Sequence, residues 1–114
     1  MAKALLNDWV RRVNRHEEDV SVLYTEKAVF IGTFRPTVST GRAKIRSYFK
    51  ALEPRLRAVA VRWSTTQHLT PDVAVISGEY EFHLLRKKVL ARFSMTCCRR
   101  AGGWRIANHH SSKA

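Results

Sequence analysis

The chain has 114 residues, 45% of them apolar and 26% charged, the balance of a single domain (1–114) with one core. No apolar run approaches the ~20 residues of a membrane span. Asp8 and Arg11-Arg12 follow Leu5-Leu6 too closely for a secretory segment, so a cytoplasmic protein without membrane contact is expected. Twenty-one Lys and Arg against nine Asp and Glu leave a net charge of +12, divided into −1 over residues 1–26 and +13 beyond them.

The opening segment predicts a helix: Leu5, Trp9 and Val13 fall four apart, flanked by Leu6 and Val10. Glu17-Glu18-Asp19 suits the N-terminus of a short second helix that buries Val20, Leu23 and Tyr24. Ala28 to Thr33 reads as an apolar strand, and Arg35-Pro36-Thr37 and Ser39-Thr40-Gly41 as loops. Ile45, Tyr48, Phe49 and Leu52 form the stripe of a third helix, ended by Pro54.

From Ala58 the texture alternates as in strands. Val59, Val61 and Trp63 share one face of the first, to His68. After a Thr70-Pro71-Asp72 turn, Val73 to Leu85 sets Ala74, Ile76, Gly78, Tyr80 and Phe82 against Val73, Val75, Ser77, Glu79 and Glu81. Arg86-Lys87-Lys88 connects to Val89–Cys98, where Ala91, Phe93, Met95 and Cys97 share a face. Ala101-Gly102-Gly103 turns into the last strand. There Trp104, Ile106, Asn108 and His110 fall on one face, and Arg105, Ala107, His109 and Ser111 on the other. Helices followed by a four-strand meander define an α+β fold with an antiparallel sheet. Cys97 and Cys98 diverge as strand neighbours, so no disulfide is expected.

Val22-Leu23-Tyr24, Glu26-Lys27-Ala28-Val29, Gly41 to Phe49, Gly78-Glu79-Tyr80-Glu81-Phe82, Ala91-Arg92-Phe93 and Trp104 to Ser112 occur in a telling order. In this order the chain resembles the cone-shaped nuclear-transport-factor-2-like (SnoaL-like) superfamily. Within it the chain is most similar to the association, or hub, domain of calcium/calmodulin-dependent protein kinase II and its small stand-alone bacterial relatives. The resemblance implies a strongly curved sheet wrapped around helices, a conical cavity, and a homodimer through the outer sheet face or a larger ring. Hub cavities are lined by arginines and histidine and take small carboxylates. Tyr48 and His68 match pocket positions, whereas the arginine positions read Tyr80, Ser111 and one near Met95. A cavity for another small polar molecule is therefore implied.

Candidate site residues follow from both readings. His109 or His110 would reach the cavity, as a pocket wall or as a general base, the alternative being a core or dimer-seam histidine beside a solvent-facing one. Arg92 would meet an anionic ligand, or pair across the hairpin with Glu81, or with Glu79 after a slip of two. The ligand set is thus Tyr48, His68, Tyr80, Arg92, His109 and Ser111. Trp9, Trp63 and Trp104 are assigned to packing. No metal site is expected, because His16, His68 and His83 lack ligand spacing, and no cofactor motif is present. Glu79 and Glu81 point away from Tyr80 and Phe82, so no acid faces inward, which argues against an enzyme.

The expected function is a non-catalytic, homo-oligomeric hub-like domain that binds a small polar molecule and docks an acidic partner. The alternative is a small isomerase, cyclase or hydratase with a cavity histidine as base. The basic residues are scattered, with no helix-turn-helix, zinc finger or RNP-type aromatic run beside them. Nucleic-acid or other polyanion binding is therefore the weaker alternative.

Overall fold

The computed structural model describes residues 1–16 and 18–114. Helix α1 (Ala2–Asn14) buries Leu5, Leu6, Trp9 and Val13, the stripe its periodicity predicts. Asn14 clips the end of α1 to the sheet. Its Nδ2 donates to the Val59 carbonyl at 3.1 Å, and its Oδ1 accepts from the Val59 N–H at 2.7 Å. The expected second helix is one 3-10 turn, Val20–Leu23, capped by Asp19, whose carboxylate accepts from the Ser21 N–H at 2.9 Å. Glu17, placed by the sequence at that helix start, lies outside the described residues. Tyr24 already begins strand β1 (Tyr24–Ile31), four residues before the expected start.

Strand β2 (Ser39–Thr40) leads into helix α2 (Arg42–Leu52), which buries Ile45, Tyr48, Phe49 and Leu52. A 3-10 turn at Glu53–Arg55, with proline in its first turn, breaks the helix where expected. Four long strands follow: β3 (Leu56–Thr70), β4 (Val73–Leu84), β5 (Lys88–Arg100) and β6 (Gly103–Lys113).

The sheet order is β2-β1-β6-β5-β4-β3. The meander is antiparallel as expected, but β1 runs parallel to β6, so the six-stranded sheet is mixed. The β4–β5 hairpin closes at Leu85-Arg86, with the Leu84 N–H donating to the Lys87 carbonyl, one residue before the charged run. That turn sets Arg92 opposite Glu79, the second of the two expected registers.

Two irregularities redirect side chains that simple alternation misplaces. In β3 the register shifts between Val61, opposite Tyr80, and Trp63, opposite Glu79. Trp63 therefore leaves the face of Val59, stands 52% exposed, and donates its indole N–H to Glu79 Oε1 at 2.7 Å. Gly78 permits this crossing, since a Cβ there would lie 2.1 Å from the Trp63 carbonyl oxygen. In β6, Ile106 faces Cys97 and Asn108 faces Thr96, leaving Ala107 as the extra residue. Ile106 and His109 consequently both point inward, although strict alternation sets them on opposite faces.

One core fills the concave side. Trp9, Tyr24, Tyr80, Ile45, Ile76, Met95 and Ile106 are among its fully buried members.

Candidate functional site

His109 sits at the centre of the concave face, fully buried among aromatic rings. Trp9 stacks on Tyr80 at 5.3 Å, Tyr80 stacks on Phe93 at 4.4 Å, and Phe30 lies 4.7 Å from the imidazole. Helix α1 brings Trp9 from above, and the parallel β1–β6 pairing brings Tyr24 from the side. The Trp9 indole donates to the Tyr24 hydroxyl at 3.0 Å, and that hydroxyl lies 2.8 Å from His109 Nδ1. On the other side of the ring, Nε2 lies 3.1 Å from the Tyr80 hydroxyl.

Donor counting assigns the protons. An indole N–H only donates, so the Tyr24 oxygen accepts from it and the Tyr24 proton goes to Nδ1. Burial, with His110 adding a smaller repulsion, lowers the His109 pKa to about 3, so the ring is neutral at pH 7. Its single proton therefore sits on Nε2 and is donated to Tyr80. Ser111, close to the Tyr80 hydroxyl, hydrogen-bonds the Thr33 hydroxyl. A one-way chain thus runs Trp9, Tyr24, His109, Tyr80, with both imidazole nitrogens supplied with a partner.

Burial also raises the pKa values of Tyr24 and Tyr80, so no member of the chain titrates near neutrality. Among the described residues the buried polar and charged set comprises Ser21, Thr25, Ser39, His109 and Ser111, with no carboxylate. An imidazole held near pKa 3, with both nitrogens engaged, is a poor general base.

The rim of this interior is occupied by side chains. Gly32 lies against the Tyr48 ring, where a Cβ would approach to 2.3 Å. The Phe34 N–H donates to the Tyr48 hydroxyl at 3.0 Å, and the Phe34 ring meets Phe82 edge-on at 5.0 Å. Arg35 lies 5.8 Å from the Tyr48 ring and Arg55 lies 5.7 Å from the Phe34 ring. Burial, opposed by the bond from Phe34 and by Arg35 and Arg55, leaves the Tyr48 pKa raised.

Of the six ligand candidates, Tyr48, Tyr80, His109 and Ser111 are therefore buried together on the concave side. His68 and Arg92 do not join them. His68 is exposed near the far end of β3, its ring 6.1 Å from Trp104. Arg92 is exposed on the convex face, and among the described residues it forms no ion pair. Glu81 pairs with Arg62 at 3.5 Å and His83 at 2.8 Å, while Glu79 holds Trp63. His110 is exposed. Among the described residues no cluster of three metal-ligating side chains exists. Cys97 and Cys98 are free thiols, and burial pushes Cys97 up to about 12.

Tyr24 and Trp9, the direct and indirect partners of His109, are absent from the candidate set drawn from sequence. Trp9 was legible only as packing, and Tyr24 lies 85 residues from His109.

Helices laid into a strongly curved sheet define the cystatin-like cone, and a chain of this class from Caulobacter vibrioides superimposes with a TM-score of 0.84. The SnoaL-like domain family model matches residues 2–114, and the chain belongs to that nuclear-transport-factor-2-like family. It is similar to a protein from Xanthomonas campestris described as a calcium/calmodulin-dependent protein kinase II association domain. Identity is 30%, over 99% of this chain and 85% of that one, with a TM-score of 0.88. A ketosteroid isomerase-like protein from Erwinia carotovora atroseptica shares the fold at 18% identity, over 97% and 92% of the two chains, with a TM-score of 0.81. No curated protein matches the chain in sequence. The fold houses both catalytic and non-catalytic proteins, so membership alone does not decide chemistry.

Proposed function

We propose that this chain is a non-catalytic, homo-oligomeric, hub-like domain. The observation that carries this reading is that Tyr24 and Tyr80 engage both ring nitrogens of His109, and that no carboxylate is buried beside it among the described residues. Similarity to a protein described as an association domain supports the oligomeric part. So does the convex face, where Trp63 is 52% and Leu90 39% exposed amid Arg62, Glu79, Glu81 and Arg92. Mixed apolar and ionic surface of this kind suits a symmetric seam.

A small polar molecule would enter at the rim, where Tyr48 presents its hydroxyl beside Arg35 and where displacing Phe34 would open the way to Tyr80, His109 and Ser111. The basic exterior would dock an acidic protein.

Light scattering after size exclusion at high salt tests the assembly. A dimer or larger closed ring that dissociates in Trp63→Glu/Leu90→Glu is expected, and a monomer at all concentrations would overturn it. The enzymatic alternative keeps His109 as a base. Turnover of an isomerase or dehydratase substrate that vanishes in His109→Gln, with the fold retained, would replace the scaffold reading.

A further inference from the structure

A second concavity lies away from the His109 interior. Lys27 of β1, Arg42 at the start of α2, and Arg100 and Arg105 on either side of the Gly102-Gly103 turn surround a cleft of about 540 Å³. Among the described residues one acid, Glu26, shares it, so four cations face one carboxylate.

The three guanidinium groups are held in place by neutral acceptors. Arg42 Nε donates to the Tyr24 carbonyl at 2.8 Å, Arg105 Nη1 to the Trp104 carbonyl at 2.8 Å, and Arg100 Nε to Cys98 Sγ at 3.4 Å. Each has five N–H donors, so most remain free. Among the described residues none of the four cations forms an ion pair, whereas Arg11, Arg46 and Arg99 all do. Anchoring without neutralisation fixes donors in space and leaves their charge uncompensated, the arrangement that an oxyanion completes. The positive end of α2, which has no side-chain cap, adds to the same field.

We propose that this cleft binds a small, multiply charged oxyanion of the phosphate class, such as a diphosphate or a phosphomonoester. An excess of three positive charges favours a ligand with at least two negative ones. Forked guanidinium donors from three directions match tetrahedral oxygens better than a planar carboxylate. The site is distinct from the basic β4–β5 hairpin with Arg86, Lys87 and Lys88. Lys88 and Arg100 begin and end the 13-residue strand β5, so the clusters lie at its opposite ends, roughly 40 Å apart measured along the strand. A long polyanion is therefore not the ligand this geometry favours.

The test is calorimetric titration of the full chain with inorganic pyrophosphate at about 150 mM salt, where diffuse surface attraction is screened. Saturable binding is expected, weakened at least about tenfold in Arg100→Gln/Arg105→Gln and unchanged in Arg86→Gln/Lys87→Gln. Thermal melting of each variant confirms that it is folded, and Arg42 is left intact because it holds the Tyr24 carbonyl. Absence of binding, equal weakening in both variants, or malonate binding as tightly as pyrophosphate would each overturn the proposal.

Discussion

His109 and Arg105 stand four residues apart on β6 and mark two regions with opposite electrostatics. Around His109 both ring nitrogens meet a tyrosine hydroxyl, the Trp9 indole meets Tyr24, and burial removes the charge. Around Arg105 the cations are pinned by carbonyls and a thiol, and the charge persists beside a single glutamate. The first arrangement stabilises a fold, because an unpartnered donor in such a core costs about 1–3 kcal/mol. The second contributes little to stability and waits for a partner. A net charge of +12 therefore says less than where the counter-charges are missing.

The difference is tested most severely at the interior. His109→Ala removes the acceptor of the Tyr24 hydroxyl and the donor to Tyr80 and leaves a void, so a loss of roughly 3–5 kcal/mol is expected in urea unfolding. A loss below about 1 kcal/mol would mean that the chain of hydrogen bonds is incidental to folding.

Acid provides the next test. The folded ring resists protonation down to about pH 3, while the unfolded one takes a proton below its ordinary value of 6.5. The unfolded state thus binds more protons in that window, and stability falls as pH falls from 6.5 towards 3. The slope approaches about 1.4 kcal/mol per pH unit. His109→Gln should lack this component, and an unchanged slope would place the acid sensitivity elsewhere.

The smallest effect is expected at the cleft. Arg100→Gln/Arg105→Gln should shift stability by no more than about 0.5 kcal/mol, since one lost bond is exposed, the other only part-buried, and mutual repulsion is relieved. A loss of several times that size would make the arginines structural and erase the distinction between the two regions.

Much of the fold was legible from local patterns. The stripes Leu5-Trp9-Val13 and Ile45-Tyr48-Phe49-Leu52 specify helices because each turn repeats its own geometry, whatever lies opposite. The strands from Val73 onward were legible for the same reason, through alternation. The parallel partnership of β1 with β6 was not, since a strand carries no mark of which distant neighbour will complete its hydrogen bonds. Tyr48, Tyr80, His109 and Ser111 were legible as inward or pocket positions, but their hydrogen-bond partners were not. His68 and Arg92 were drawn into the same set by matching positions and by charge, and their strands carry them elsewhere.

Sequence alone determined the two long helices and the order of the four long strands, the turn at Gly102-Gly103, and the family to which that order is similar, but not the short strand at Ser39–Thr40, which reads as a loop. Only the tertiary structure decided the faces. A single extra residue at Ala107, and another shift after Val61, exchange inside for outside along a strand. Neither can be read from one strand, because a bulge is a mismatch between two. The same holds for the chemistry of His109: its neutrality and its tautomer follow from Tyr24, Tyr80 and the exclusion of water, which exist only once β1, α1 and β6 have met.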